Sequence, residues 1–152
     1  MFSNSIRSIP QVASELMACR LHTLGSSDKA ADALHTLLKL NHSGMPVVDK
    51  AGNYLGVFSE KCCLRAVQET QTLKEWESLP IKNSGAMATK LFCLSPDEDA
   101  IAAIGGLLKR KVSGAPVTDS DRTFCGMFSE KTSMRVLIGA AYDSLPSATV
   151  DA

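Results

Sequence analysis

The sequence has no excess of charge of either sign. Sixteen lysines and arginines meet sixteen aspartates and glutamates. The balance is also local, with 8 basic and 7 acidic residues in 1–76 against 8 and 9 in 77–152. A basic footprint for nucleic acid and a polybasic patch for an anionic membrane are thereby excluded. No apolar run approaches the roughly 18–20 residues that span a bilayer. The start, Met1-Phe-Ser-Asn-Ser-Ile-Arg7, lacks the charged region and apolar stretch of a secretory signal. The five cysteines are odd in number and follow no disulfide-framework spacing. A cytoplasmic protein with neither nucleic-acid nor membrane partners is expected.

Catalytic signatures are missing too. There is no Gly-x-Ser-x-Gly elbow, no Gly-x-x-x-x-Gly-Lys loop and no Gly-x-Gly-x-x-Gly turn. Cys62 and Cys63 are adjacent on an expected helix, so they point in different directions and lack ligand spacing. No catalytic residue and no metal site is expected. At 152 residues, 45% apolar and 21% charged, the chain has the composition of an ordinary globular protein.

What the chain does have is one phrase, twice. Ser43-Gly-Met-Pro-Val-Val-Asp49 and Gly56-Val-Phe-Ser-Glu-Lys61 return seventy positions later as Ser113-Gly-Ala-Pro-Val-Thr-Asp119 and Gly126-Met-Phe-Ser-Glu-Lys131. Aligned at that shift, residues 14–67 and 84–137 share 21 identities in 54 pairs without a gap. The chain is a duplication. No cysteine or histidine is matched by its own kind in the other copy, which argues against a duplicated metal or thiol centre. A unit of this size alone buries too little surface to be more than marginal, so the copies are expected to share a buried face. Repeat 1 is assigned to 10–71, a linker to 72–82, repeat 2 to 83–142, and a flexible tail to 143–152, behind a loose lead-in at 1–9.

Each copy reads as strand, helix, strand, strand, helix. Leu21–Leu24 and Leu91–Leu94 alternate as brief strands. Before them, Pro10 suits the first turn of a short helix whose apolar side holds Val12, Leu16, Met17 and Cys19. Ser26-Ser27-Asp28 in one copy, and Ser95 with Pro96 in the other, predict helix starts. Apolar residues then recur at helical spacing over Ala30–Leu38 and Ala100–Leu108. Inside the second of these helices, Gly105-Gly106 implies either local weakness or a close backbone approach. Two hairpin strands follow, turning at Asp49–Asn53 and Asp119–Thr123. Ser59 and Ser129 stand as N-caps of helices running to about Gln71 and Ala141. The fold expected is α/β, an α+β sandwich of two repeats packed with pseudo-twofold symmetry.

The strand-to-helix junction carries the chemical content. Its free backbone N–H groups and dipole suit a phosphate. Ser59 and Ser129 can cap the helix or donate to an anion. Lys61 with Arg65, and Lys131 with Arg135, lie four apart on one helix face. A lysine in the first turn opposes the dipole, and its recurrence points to an anionic partner.

The repeated phrase resembles the cystathionine-β-synthase (CBS) domain, here as a tandem of the kind called a Bateman module. The resemblance rests on Met17…Leu21…Leu24, the Ser43–Asp49 segment and Gly56-Val-Phe-Ser59. In copy two it rests on Met87…Leu91…Leu94, the Ser113–Asp119 segment and Gly126-Met-Phe-Ser129. It implies a regulatory module that binds adenosine-containing ligands (AMP, ADP, ATP or S-adenosylmethionine) in clefts between the copies. It also implies a homodimer, and an effector that is a separate protein or a further part of a longer chain. Ser59, Lys61, Ser129 and Lys131 would then meet phosphate. Leu21, His22, Met45 and Pro46, with Leu91, Phe92, Ala115 and Pro116, would surround the base. One departure stands in both copies: the family's ribose-holding Asp is replaced by Cys62 and Thr132. The alternative implied is a dimerisation and interaction scaffold that binds no nucleotide.

Overall fold

The duplicated phrase folds into two similar hairpins, one in each of two compact units. The structure is a computed structural model and describes residues 10–19, 21–70, 72–89 and 92–141. The lead-in at 1–9, the tail at 143–152 and the candidate Leu91 lie outside these residues. One unit is drawn from His22–Leu91, the other from Met1–Leu21 with Phe92–Ala152.

In the first of these, alternation produces strands β2 (Gly44–Val48) and β3 (Tyr54–Ser59). They pair antiparallel, Met45 opposite Phe58 and Pro46 opposite Val57. The turn between them is held by the Asp49 carboxylate, whose Oδ1 accepts the Ala51 and Asn53 amides at 2.9 Å each. These bonds favour the charged form and hold the Asp49 pKa below its ordinary value. β1 (Leu24–Gly25) lies parallel to β2, and β4 (Met87–Ala88) antiparallel to β3, in the order β1-β2-β3-β4. Helices α1 (Ala30–Leu40) and α2 (Glu60–Thr70) bury Ala33, Leu37, Cys63 and Ala66 in one core with Met45, Val47 and Phe58.

Residues 72–82, read from sequence as a linker, are part of this core. They form α3 (Leu73–Glu77) and lead into a 3-10 turn at Ile81–Asn83. Trp76 and Ile81 are fully buried, and the Trp76 indole donates to the Ser84 carbonyl at 2.9 Å. Three backbone bonds tie the segment to the start of α1: Ala30 N–H to Leu79 O, Ile81 N–H to Asp28 O and Lys82 N–H to Ser26 O.

The second unit repeats the plan with α4 (Ala100–Arg110), β5 (Gly114–Thr118), β6 (Phe124–Ser129) and α5 (Glu130–Ala141). Leu94 bridges Val117 in parallel at one edge of the β5–β6 hairpin, and Ala18 bridges Met127 at the other. Each hairpin thus pairs with an edge segment from the start of the other repeat: Met87-Ala88 with β3, and Ala18 with β6. The compact units and the sequence repeats therefore have different boundaries. Leu16 and Leu94, fully buried, share a core with Leu107, Ala115, Val117 and Phe128.

Three local expectations shift. α4 starts at Ala100 behind Asp99, whose carboxylate takes the Ala102 amide at 2.9 Å, not behind Ser95. The carbonyls of Pro96 and Glu98 are occupied instead by the Ser14 and Ala13 amides, so that stretch forms a turn. α1 likewise begins behind Lys29 without a side-chain cap, because the Asp28 carboxylate turns back to the Gly25 amide at 2.8 Å. The short helix expected after Pro10 is one 3-10 turn, Ala13–Glu15, and Cys19 is exposed beyond it. At the paired glycines the close approach holds for one of the two. A Cβ on Gly106 would come within 2.9 Å of the Phe92 ring, whereas one on Gly105 would meet nothing within 4 Å.

Candidate functional site

The two junctions form where β3 runs into α2 and β6 into α5. Both helices are long enough to present a full turn of unsatisfied N–H groups. In the first junction the Ser59 Oγ accepts the Cys62 amide at 3.1 Å. In the second, the Ser129 Oγ accepts the Thr132 amide at 3.2 Å. Both serines are therefore N-caps. Strand pairing adds a second anchor: the Glu60 amide donates to Ser43 O, and the Glu130 amide to Ser113 O, each at 2.9 Å.

The junctions then diverge. The Ser129 hydroxyl donates to the Thr132 Oγ1 at 3.0 Å, and Thr132 is buried. Its hydrogen and one lone pair are thus both in use. Ser59 has Cys62 at the equivalent place, and no acceptor for its hydroxyl hydrogen appears among the described residues. The first junction therefore keeps a donor that an external anion can take; the second satisfies its donor internally.

Lys61 and Lys131 are exposed beside these caps, as are Arg65 and Arg135 one turn on. Cys62 is half-buried, while its neighbour Cys63 is buried. Desolvation pushes the Cys63 thiol up to about 12, which makes it an inert packing residue. Burial also raises the Cys93 and Cys125 thiols. Among the described residues no group of three or more His, Cys, Asp or Glu could hold a metal ion.

The residues expected around a base are placed unevenly. Met45 and Ala115 are 2% and 1% exposed, inside the cores of their units rather than on a binding surface. The pleat turns Pro46 and Pro116 to the opposite sheet face, the face of Ser59 and Ser129, although both prolines are themselves buried. Leu21 is half-buried and His22 exposed. Phe92 is half-buried against Gly106, and the Arg110 guanidinium sits 3.9 Å from its ring centroid. That cation–π contact occupies one ring face. Val57 and Met127, directly opposite Pro46 and Pro116, share the serine face and escaped the sequence reading. Strand alternation counted back from each serine was the signal that marks them.

Ser59, Lys61 and Cys62 thus come together at one junction, and Ser129, Lys131 and Thr132 at the other. The arrangement suits an anion and offers no nucleophile–base pair. The family model described as CBS domain matches residues 12–69 and 82–136. No curated protein matches the chain. Among solved structures, CBSX2 in complex with AMP is 23% identical at a TM-score of 0.72, covering 86% of this chain and 98% of its own. A putative acetoin utilization protein (AcuB) from Vibrio cholerae is 22% identical at 0.73, covering 87% and 93%. The CBS domain pair of protein MJ0100, in complex with 5′-methylthioadenosine and S-adenosyl-L-methionine, is 20% identical at 0.66, covering 87% and 98%.

Proposed function

The chain belongs to the CBS domain family, and from that premise we propose that it is a regulatory module, not a catalyst, that senses an adenosine-containing ligand. AMP, ADP, ATP and S-adenosylmethionine are the candidates. The observation that carries this reading is the junction at Ser59: a capped helix N-terminus with an uncommitted hydroxyl hydrogen and Lys61 two residues on. The AMP complex of CBSX2 and the S-adenosylmethionine complex of the MJ0100 pair support it by analogy. Ser59 and Lys61 take the phosphate, and Pro46 lies on the same sheet face as Ser59. Cys62 stands where the family has a ribose-binding carboxylate, so affinity is reduced rather than abolished. The Ser129 junction is the weaker of the two because its hydroxyl already serves Thr132.

Isothermal titration of the full chain with the four ligands tests this. Heat is expected from at least one of them. Ser59→Ala should weaken it by about tenfold, the worth of one charge-assisted hydrogen bond. Cys62→Asp, which restores a carboxylate, should strengthen it about ten- to a hundredfold. No heat from any ligand, with either the parent chain or Cys62→Asp, removes the proposal.

In that event the second reading takes its place, an assembly scaffold without nucleotide. The loss of the ribose carboxylate at both junctions favours it. Either reading pairs the chain as a homodimer, with an effector that is a separate protein or a further part of a longer chain. Leu38 and Leu64, on α1 and α2, are 62% and 74% exposed and offer a second copy an apolar surface. Sedimentation velocity should show a dimer, and Leu64→Glu should shift it toward monomer; a monomeric parent chain rules the dimer out.

A further inference from the structure

The duplication makes each repeat a control for the other, and outside the serine junctions they differ sharply at the C-terminal end of α4. Repeat 2 reads Lys109-Arg110-Lys111 there, where repeat 1 reads Lys39-Leu40-Asn41. No other three consecutive residues of the chain are cationic. All three side chains are exposed, and no ion pair among the described residues claims any of them. A cation in the last turn complements the helix dipole, and in repeat 1 Lys39 alone does so. The dipole accounts for one cation and leaves two.

Neither of those two is favoured locally. Lys111 caps α4 in the left-handed region at φ 54°, where its counterpart, at φ 57°, is Asn41. Asparagine tolerates that conformation better than lysine. Arg110 replaces Leu40, which packs against its core. The Arg110 guanidinium lies instead over the Phe92 ring, 3.9 Å from its centroid. Phe92 fits there because residue 106 is glycine, whose added Cβ would come within 2.9 Å of the ring. Glycine is unfavourable inside a helix, and the counterparts of Gly106 and Phe92 are Thr36 and His22. Four departures from repeat 1 thus converge on one guanidinium. Stacking engages its face and leaves its in-plane N–H donors free, the arrangement that takes a carboxylate in two parallel hydrogen bonds. The cluster is also separate from the apolar surface offered to a second copy. Arg110 stands two positions beyond Leu108, the counterpart of Leu38, and so about 200° around the helix from it.

We propose that this end of α4 docks an acidic segment of a partner protein, with carboxylates on Arg110 and with Lys109 and Lys111 flanking. Three cations are fewer than the roughly 4–8 of a lipid-binding cluster, and the net-neutral chain has no wider basic footprint for nucleic acid. The surface gives the effector of the regulatory reading a place to bind. It rests on that reading only for the existence of an effector; nucleotide need not be bound.

Fluorescein-labelled octaglutamate, octaglutamine and octathymidylate are titrated into the full-length protein at low salt and followed by fluorescence anisotropy. Octaglutamate should bind saturably, octaglutamine not at all, and octathymidylate at least about tenfold more weakly than octaglutamate. Arg110→Ala should weaken octaglutamate about tenfold. Arg110→Lys should recover little of that, because an ammonium lacks the planar fork. Phe92→Leu keeps the charge and removes only the ring, and should weaken binding about two- to fivefold. Lys111→Asn, which installs the residue of the other repeat, should also weaken it, whereas Lys39→Gln should change nothing. Absence of saturable binding overturns the proposal. So does an equal loss in Lys39→Gln and Arg110→Ala, which would mean diffuse attraction. Octathymidylate binding as tightly as octaglutamate overturns it in favour of nucleic acid. Nucleotide ligands are omitted throughout, so a failure here and a failure of the Ser59 titration are read separately.

Discussion

Trp76→Ala lowers the stability of the His22–Leu91 unit by about 3–5 kcal/mol, the usual cost of removing a large buried aromatic. Small domains have only about 5–15 kcal/mol to lose, so this single change brings the unit close to unfolding. Two effects add. The indole is the largest fully buried side chain in its core, and its removal leaves a cavity that neighbouring backbone can close only in part. The Ser84 carbonyl also loses the Nε1–H donor at 2.9 Å and is left buried without that partner. Trp76→Phe separates the two, keeping most of the volume and losing the hydrogen bond; about 1–3 kcal/mol is expected. Urea denaturation followed by far-UV circular dichroism reads both variants. A loss under 1 kcal/mol for Trp76→Ala would show that α3 merely lies on the unit.

This expectation could not be drawn from the sequence, and the reason is physical. Residues 72–82 have no counterpart phrase in the other repeat, and their composition is that of a connection. Their contribution is two buried side chains, Trp76 and Ile81, and a set of backbone bonds to the start of α1, and neither leaves a periodic trace. The repeated hairpins, by contrast, were legible almost to the residue. Alternation, the turn aspartates and the serine caps each dictate local structure, and both copies said the same thing. Edges were less legible: Leu24 and Leu94 make short pairings whose partners are set by tertiary contact, not by a run of β-forming residues.

The candidate site was legible in its chemistry but not in its asymmetry. The sequence places a hydroxyl, a lysine and a substituted carboxylate at each junction, identically spaced. Only the fold reveals that Ser129 turns its hydroxyl hydrogen onto Thr132 while Cys62 leaves that of Ser59 uncommitted. Met45 and Ala115 show the opposite error. Lying at the repeated Pro-Val, they read as pocket residues by the family resemblance, yet the pleat turns them to the core with Val47 and Val117. Counting in twos from the serine, not in sequence order from the proline, separates the faces.

Gly126→Ala should release the N-terminal segment from β6. A Cβ at Gly126 would stand 2.5 Å from the Ala18 carbonyl oxygen and 3.0 Å from the Met17 sulfur. The methionine can swing aside. The carbonyl cannot, because Ala18 and Met127 exchange two backbone hydrogen bonds, of 2.8 and 2.9 Å, next to the glycine. The methyl group therefore has to push the edge segment off the sheet or bend β6, at a cost of about 1–3 kcal/mol or more. Gly56 meets Ala88 O at the same 2.5 Å, so both repeats keep glycine where a crossing segment comes in. Its recurrence in the duplicated phrase thus follows from the exchange of edge segments between repeats, not from any turn. Amide hydrogen exchange measures the effect directly: Ala18 and Met127 should lose protection in Gly126→Ala, while β5 amides lose little. Gly105→Ala is the control, since its Cβ meets nothing and helix propensity predicts a gain of roughly 0.8–1 kcal/mol. Unchanged protection at Ala18 and Met127 would mean that the strand crossing can shift to admit a side chain, and that glycine at these two positions serves something other than close approach.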